Sequence, residues 1–359
     1  MQLKDKDSRI DKISEIKKLD LPIFIWGGAE TARKIVDYLR ENGILKQITY
    51  VVDDEYYFEG NQVIPLSEFL AKYATTSIMV FGFYNYGEIC KKKEMYGSQI
   101  PYLYDFHITF VNGKRVAWNT DVFLENVDKY YETYEMLSDL KSQKVLESYL
   151  NAAVYGDFDN LYVNNREEVA YFNSITKDYK VECLVDCGAY DGDSIHDFVA
   201  VFQDYKKIYA IEPDPKNIDS LKKRIENEKI RDVNVISKGV YKETTTLHFS
   251  SDGSSASYMS KEGDISIQVI AMDELLKNEE ENLLIKMDIE GSELDALVGL
   301  SRTIITKRPA LAVCVYHKEE DLFKIPQYID SLVEKGDYDF YLRYHGVDLA
   351  ELVFYCIPR

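Results

Sequence analysis

The chain has 359 residues, 46% of them hydrophobic, enough to fill the cores of about two domains. Its 62 acidic residues outnumber 43 basic ones and leave a formal net charge of −19. A field of that sign opposes phosphate backbones and anionic lipid surfaces, so nucleic acid and membranes are excluded as expected partners.

The opening MQLKDKDSRIDKISEIKK is charged and lacks the apolar core of a secretion signal. No run reaches the roughly 18 to 20 apolar residues of a membrane span. The five cysteines have no metal-ligand spacing. Cys183 and Cys187 read as small buried apolar residues, and a reducing cytoplasm is the expected location.

Residues 21–26 (LPIFIW) form an apolar run that enters Gly27 and Gly28. An amphipathic stretch at 32–42, a stop at Gly43, a run at 48–52 ending in Asp53 and Asp54, and a further run at 78–81 before Gly82 follow. This pattern predicts a Rossmann-like α/β domain over 1–115. Its fingerprint is incomplete: only two adjacent glycines occur, and Glu30 sits where a phosphate would lie. The unit either binds a nucleotide or serves assembly or acceptor presentation, in which case Asp53 is an ordinary solvated strand end. A helical linker is predicted for 116–179. Within it 122–150 has helix period, with Leu137, Leu140, Val145, Leu146, Tyr149 and Leu150 as a stripe that packs between domains.

From 180 to 359 the pattern is that of a doubly wound α/β sheet. Residues 183–194, CLVDCGAYDGDS, carry an apolar run to Asp186 and then a turn with Gly188 and Gly192. Glycine there tolerates positive φ and lets the backbone approach a ligand. Glu212 follows at the end of the next run, where a carboxylate can accept the hydroxyls of an adenosine ribose. Two adenosine cofactors compete, a nicotinamide dinucleotide and S-adenosylmethionine. A pyrophosphate would be repelled by Asp191 and Asp193, and Ser194 stands where a third glycine is wanted, whereas a sulfonium and an ammonium suit acidic neighbours.

A predicted hairpin, 244–249 with 265–270, is inserted in the sheet order, and its serine-rich tip at 250–264 is either a lid over the acceptor or a plain flexible turn. The run Leu283–Met287 delivers Asp288 and Glu290 at its carboxyl end, where ligands sit in such sheets. Ser292 and Glu293 read as helix capping and first-turn dipole compensation. The run 311–315 ends in Tyr316 and His317, whose imidazole can take a proton near neutral pH. His345 is its rival.

With these pieces in place the chain resembles the FkbM-type S-adenosylmethionine-dependent methyltransferases. The matching segments are VDCGAYDGDS at 185–194, IEPDP at 211–215, KMDIEGSE at 286–293, VYHKEEDLFKIPQYI at 315–329, and YDFYLRYHG with ELVFYCIP at 338–358. Ser138, Asp139, Ser142 and 145–150, ahead of Tyr171 and Phe172, are similar to the spacer of two-domain members. The resemblance implies a class I methyltransferase fold over 180–359 and metal-free methyl transfer to oxygen on a sugar or secondary metabolite. It also implies a cofactor set of Asp186, Gly188, Ala189, Tyr190, Asp191, Gly192, Ser194, Glu212, Pro213, Gly239 and Asp288. The glycine pattern departs at its third position, to Asp191 and Gly192. His317, ranked first as base, Asp288 and Glu290 are the expected catalytic groups. The expected partner is a small-molecule or carbohydrate acceptor, with homo-oligomerisation left open. Two other readings remain at this stage: an NAD-dependent oxidoreductase with paired Rossmann units, and a nucleotide-sugar-binding module that works at Gly27 and not at Gly188.

Overall fold

The computed structural model describes residues 1–27, 30–53, 63–106, 110–111, 114–115, 120–250, 258–259 and 265–359. Five strands near the N-terminus pair in parallel: β1 (Ile23–Trp26), β2 (Ile48–Val52), β3 (Val63–Pro65), β4 (Ile78–Phe81) and β5 (Leu103–Asp105), in the order β3-β2-β1-β4-β5. Side chains alternate across a strand, so IFIW divides itself between two cores. Ile23 and Ile25 join Ile13 and Ile16 of α1 (Ser8–Lys18) and Ile35 and Leu39 of α2 (Glu30–Glu41). Phe24 and Trp26 join Phe69 of α3 (Leu66–Lys72) and Ile89 of α4 (Tyr86–Tyr96). Helices on both faces are the reason these strands read as unbroken apolar runs.

The strand order reverses between β1 and β4, where a Cβ on Gly27 would stand 3.1 Å from the Gly82 carbonyl oxygen. Gly28, Ala29 and Asp54 lie outside the described residues, and the expectation of nucleotide binding at this glycine turn rests largely on them. Asp53 departs from a solvated strand end. Its carboxylate accepts from Trp26 Nε1 at 3.0 Å and pairs with Lys92 Nζ at 3.0 Å.

The stretch of helix period contains α5 (Val127–Met136) and α6 (Leu140–Tyr155). Asp139 caps α6 by accepting from the Ser142 N–H at 2.7 Å, and Gly156, at φ +69°, ends it. Five of the stripe residues are buried, but Leu140, in the first turn, is 75% exposed. The helix is tied on two sides. Arg9 Nη2 donates to the Val154 carbonyl at 2.8 Å, and the Tyr149 hydroxyl donates to the Leu349 carbonyl at 2.6 Å.

The larger sheet holds seven strands: β6 (Cys183–Cys187), β7 (Lys207–Ile211), β8 (Val233–Ile236), and, after an excursion through β9 (Gly239–Val240), β10 (Thr245–Ser250), β11 (Tyr258–Met259) and β12 (Ile265–Ile270), then β13 (Leu283–Met287), β14 (Ala310–Cys314), β15 (Tyr338–Tyr344) and β16 (Leu352–Pro358). Their order is β8-β7-β6-β13-β14-β16-β15, and β16 runs antiparallel to both β14 and β15 while the other pairs are parallel. The chain builds outward from β6 to β8, returns, and builds the other way from β13. The switch point therefore falls between β6 and β13, and a crevice opens beyond their carboxyl ends. Flanking helices are α7 (Asp193–Val201), α8 (Pro215–Glu228), α9 (Glu293–Val298) and α10 (Asp321–Leu332).

The hairpin forms, with Thr245 opposite Val269 and Phe249 opposite Ile265. It does not enter the seven-stranded sheet. It joins β9 in a separate four-stranded sheet ordered β9-β12-β10-β11. Residues 251–257 and 260–264, on which the lid expectation rests, lie outside the described residues. Cys183 and Cys187 are fully buried within β6, as their apolar setting predicts. Among the described residues no helix is long and apolar enough to cross a membrane.

Candidate active site

The turn after β6 is held to the end of β7. The N–H groups of Gly188 and Ala189 both donate to the Ile211 carbonyl at 3.0 Å. Gly188 takes φ +81° and Gly192, the residue before α7, φ +88°, which is the reason glycine is needed at each. Tyr190, at φ +45°, is 57% exposed at the tip. Its N–H donates to Glu212 Oε2 at 3.0 Å, while Glu212 Oε1 accepts from the Asp214 N–H at 2.9 Å and from Asn217 Nδ2 at 3.2 Å. Glu212 thus braces the mouth of the turn from the end of β7. Pro213, half-buried, leads to Asp214, which caps α8.

Asp186 departs from the expected cofactor contact, because it is wholly buried behind the turn. Strand register places Lys286 beside it, with Nζ 3.0 Å from Asp186 Oδ1 and donating to the Gly188 carbonyl at 2.8 Å. The Ser194 hydroxyl donates to Asp186 Oδ2. Burial pushes the Asp186 carboxyl up, and Lys286 and Ser194 oppose that shift. Asp186, Ser194 and Lys286 therefore stiffen the turn from its protein side. Asp191 is partly neutralised by Arg224, at 2.8 Å. Gly239 opens β9 in the four-stranded sheet, where a Cβ would meet Val269 at 3.1 Å.

Across the switch point, β13 delivers Asp288, and β14 delivers Tyr316 and His317. The Tyr171 hydroxyl donates to Asp288 Oδ2 at 3.1 Å and the Tyr316 hydroxyl to Oδ1 at 3.2 Å. His317 Nε2 lies 3.5 Å from Asp288 Oδ1 and 3.7 Å from Glu290 Oε2, and its Nδ1 lies 3.0 Å from Glu293 Oε1. None of these approaches has the alignment of a hydrogen bond. Burial alone would lower the imidazole's pKa; Glu293, Asp288 and Glu290 outweigh it and raise it to about 9. The ring accordingly holds a proton at neutral pH.

Glu290, at φ +56°, turns a largely exposed side chain toward solvent. Glu293 does the opposite: it is fully buried in the first turn of α9, and its Oε1 accepts from the Ile289 N–H at 2.9 Å and the Gly291 N–H at 3.4 Å. The Ser292 side chain makes no cap bond, so the expected capping falls to Glu293 alone. Two further carboxyls close in. Burial pushes Asp321 and Glu351 up to about 7, with Glu293 adding to the first shift and Asp288 to the second.

His345 stands in a network of its own, with Nε2 3.0 Å from the Tyr355 hydroxyl and Nδ1 3.2 Å from the Glu167 carbonyl; burial lowers it to about 4. That hydroxyl also accepts the Tyr171 N–H at 3.0 Å, so His345 backs the segment that presents Tyr171. The structure thus brings the Gly188 turn and Glu212 to one side of the crevice and Asp288, Glu290 and His317 to the other. Sequence reasoning missed Tyr171, Asp321 and Glu351 as neighbours of this cluster, and took Glu293 for a cap only.

Residues 186–344 match the family model described as the methyltransferase FkbM domain. Among solved structures, the chain is similar to methyltransferase FkbM from Methylobacillus flagellatus KT, at 21% identity and a TM-score of 0.74 over 98% of this chain and 94% of that one, a likeness of fold. An rRNA methylase from Streptococcus thermophilus covers 50% of this chain and 87% of its own, at 14% identity and a TM-score of 0.32. Fibrillarin from Aeropyrum pernix, solved with natively bound S-adenosyl-L-methionine, covers 50% of this chain and 67% of its own, at 10% identity and a TM-score of 0.31. No curated protein matches the chain.

Proposed function

We propose that the chain, whose residues 186–344 match the methyltransferase FkbM domain and whose larger sheet has class I methyltransferase order, transfers the methyl group of S-adenosylmethionine to a hydroxyl oxygen of a sugar, glycan or secondary metabolite. The observation that carries this reading is the meeting, at one switch point, of a glycine turn, a strand-end carboxylate and a carboxylate-histidine cluster.

The residues fit the cofactor. Gly188, at φ +81°, lets the turn pack against the Asp288 carbonyl beside the crevice, and Glu212 takes the ribose hydroxyls. Asp193, Asp288 and Glu290 give the crevice a negative rim that suits a sulfonium and an ammonium and repels a pyrophosphate. When bound, the cofactor supplies a methyl group on a positively charged sulfur. The chain's own part is to hold the acceptor oxygen in line behind that methyl and to exclude water, effects that together supply several kcal/mol or more. The acceptor's proton passes to Asp288 or Glu290, since the His317 ring already holds one and can only stabilise the charge that develops. A net charge of −19 favours an uncharged acceptor over nucleic acid.

Incubation with S-adenosylmethionine and a panel of hydroxylated small molecules and sugars tests the reading. Release of S-adenosylhomocysteine with a mass gain of one methyl on oxygen supports it. Methyl transfer confined to nitrogen or to nucleic acid contradicts it.

A further inference from the structure

We propose that Asp288, Glu293 and His317 form a binding site for a divalent cation that faces the acceptor side of the crevice. Its role rests on the methyl-transfer reading, while its existence does not.

The three side chains come from three elements: the end of β13, the first turn of α9 and the end of β14. One ligand atom from each lies within 4.8 Å of the others. Ligands about 2.1 Å from a common ion stand roughly 3.0 Å apart at right angles and roughly 3.4 Å apart in a tetrahedron, so small side-chain turns close the set. His317 Nδ1 already stands 3.0 Å from Glu293 Oε1, within that range.

A second observation points to a ligand. Glu293 is fully buried, yet its Oε2 has no hydrogen-bond partner. The His317 side chain is 9% exposed, and neither ring nitrogen has one. Buried polar atoms are nearly always satisfied by protein, water or an ion, and here three orphaned atoms share one cluster. Apart from the His317 ring, whose proton a bound metal ion would displace, the neighbouring cations are engaged elsewhere. Lys286 is committed to Asp186 and the Gly188 carbonyl, and Lys318 Nζ donates to the Gly291 carbonyl.

The surroundings are those of an oriented ligand set. The Ile289 and Gly291 N–H groups fix the Glu293 carboxylate, and two tyrosine hydroxyls fix Asp288. One imidazole with two carboxylates suits Mn²⁺ or Zn²⁺ better than Mg²⁺, which prefers all-oxygen sites. Three protein ligands leave coordination positions open. An acceptor hydroxyl that fills one of them is acidified. During transfer its lone pair forms the new C–O bond, the S–C pair stays on sulfur, and its proton leaves to Glu290 at the solvent side.

The test is titration of the metal-stripped full-length protein with Mn²⁺ alone, followed by calorimetry and electron paramagnetic resonance, with Zn²⁺ and Mg²⁺ as parallel arms. The expected result is one Mn²⁺ per chain, nitrogen hyperfine coupling from an imidazole, and affinity lowered about tenfold or more in Glu293→Gln and His317→Gln. The spectroscopic signature on the unaltered protein stands even where a variant fails to fold. Absence of binding for all three ions overturns the proposal, as does a bound Mn²⁺ without imidazole coupling. S-adenosylhomocysteine binding measured on the same stripped protein keeps the two readings apart, since its persistence without any metal uptake removes the cation and leaves methyl transfer standing.

Discussion

The α-carbon of Gly188 packs so tightly on β13 that a Cβ there would lie 1.9 Å from the carbonyl oxygen of Asp288. The turn proposed to face the cofactor and the strand end that presents the cluster are thereby locked at a fixed spacing. Gly188→Ala must push the two apart, and at φ +81° it adds backbone strain as well. The expected outcome is loss of S-adenosylhomocysteine binding by calorimetry, with far-ultraviolet circular dichroism retained. Binding at the wild-type level would show that the spacing is not needed.

Glu212 bonds to the N–H groups of Tyr190 and Asp214 and to Asn217. Glu212→Ala removes both the proposed ribose acceptor and the brace of the turn. Cofactor affinity should fall more than tenfold, equivalent to about 1.4 kcal/mol or more, as measured by calorimetry. Unchanged affinity would separate this carboxylate from the adenosine site.

Lys286 lies opposite Asp186 in the register of β13 on β6, and both are buried. Lys286→Met leaves a carboxylate without its partner in a site closed to water and should cost about 3–5 kcal/mol of stability. Adding Asp186→Leu should recover most of that loss, because no uncompensated charge then remains. Chemical denaturation of the single and double variants decides the matter. Equal stability of the single variant and the wild type would contradict the assignment of an ion pair.

In the N-terminal sheet, Asp105 Oδ1 lies 2.6 Å from Lys12 Nζ, and Lys93 pairs with Oδ2. Burial alone would raise this carboxyl, but the two lysines hold it down to about 2. The unfolded value is about 3.9, so the lowered pKa stabilises the fold above that pH by about 2 kcal/mol, and the contribution is lost as pH falls through about 2. Asp105→Asn should therefore be less stable than wild type at pH 7, with a gap that narrows below about pH 4. A gap that does not change with pH would contradict the ion pairs.

Local pattern made the strands and the switch-point turn legible. β1, β6 and β13 are apolar runs that end in glycine or acid, and the alternation of 244–249 against 265–270 reveals the hairpin, observed one residue later at Thr245–Ser250. What local pattern cannot carry is pairing across strands. Asp186 reads as a cofactor contact in the sequence, and only the register sets Lys286 beside it. Which sheet the hairpin joins is hidden for the same reason, since the pairing of β9 with β12 is decided by tertiary contacts. Tyr171 reaches Asp288 from 117 residues away in sequence. Glu293 and His317 are 24 positions apart (317 minus 293), and only the parallel alignment of β13 with β14 brings them together. Leu140 fitted the stripe by count, yet it falls in the first turn of α6 and points away from the core.

The most direct test of the account is a paired calorimetric titration of the full chain with S-adenosylhomocysteine and with NAD, repeated on Gly188→Ala. A negatively rimmed turn at 186–194 predicts saturable uptake of the sulfur nucleoside, none of the dinucleotide, and loss of uptake in the variant. Tight NAD binding that depends on Gly188, with indifference to S-adenosylhomocysteine, would contradict it.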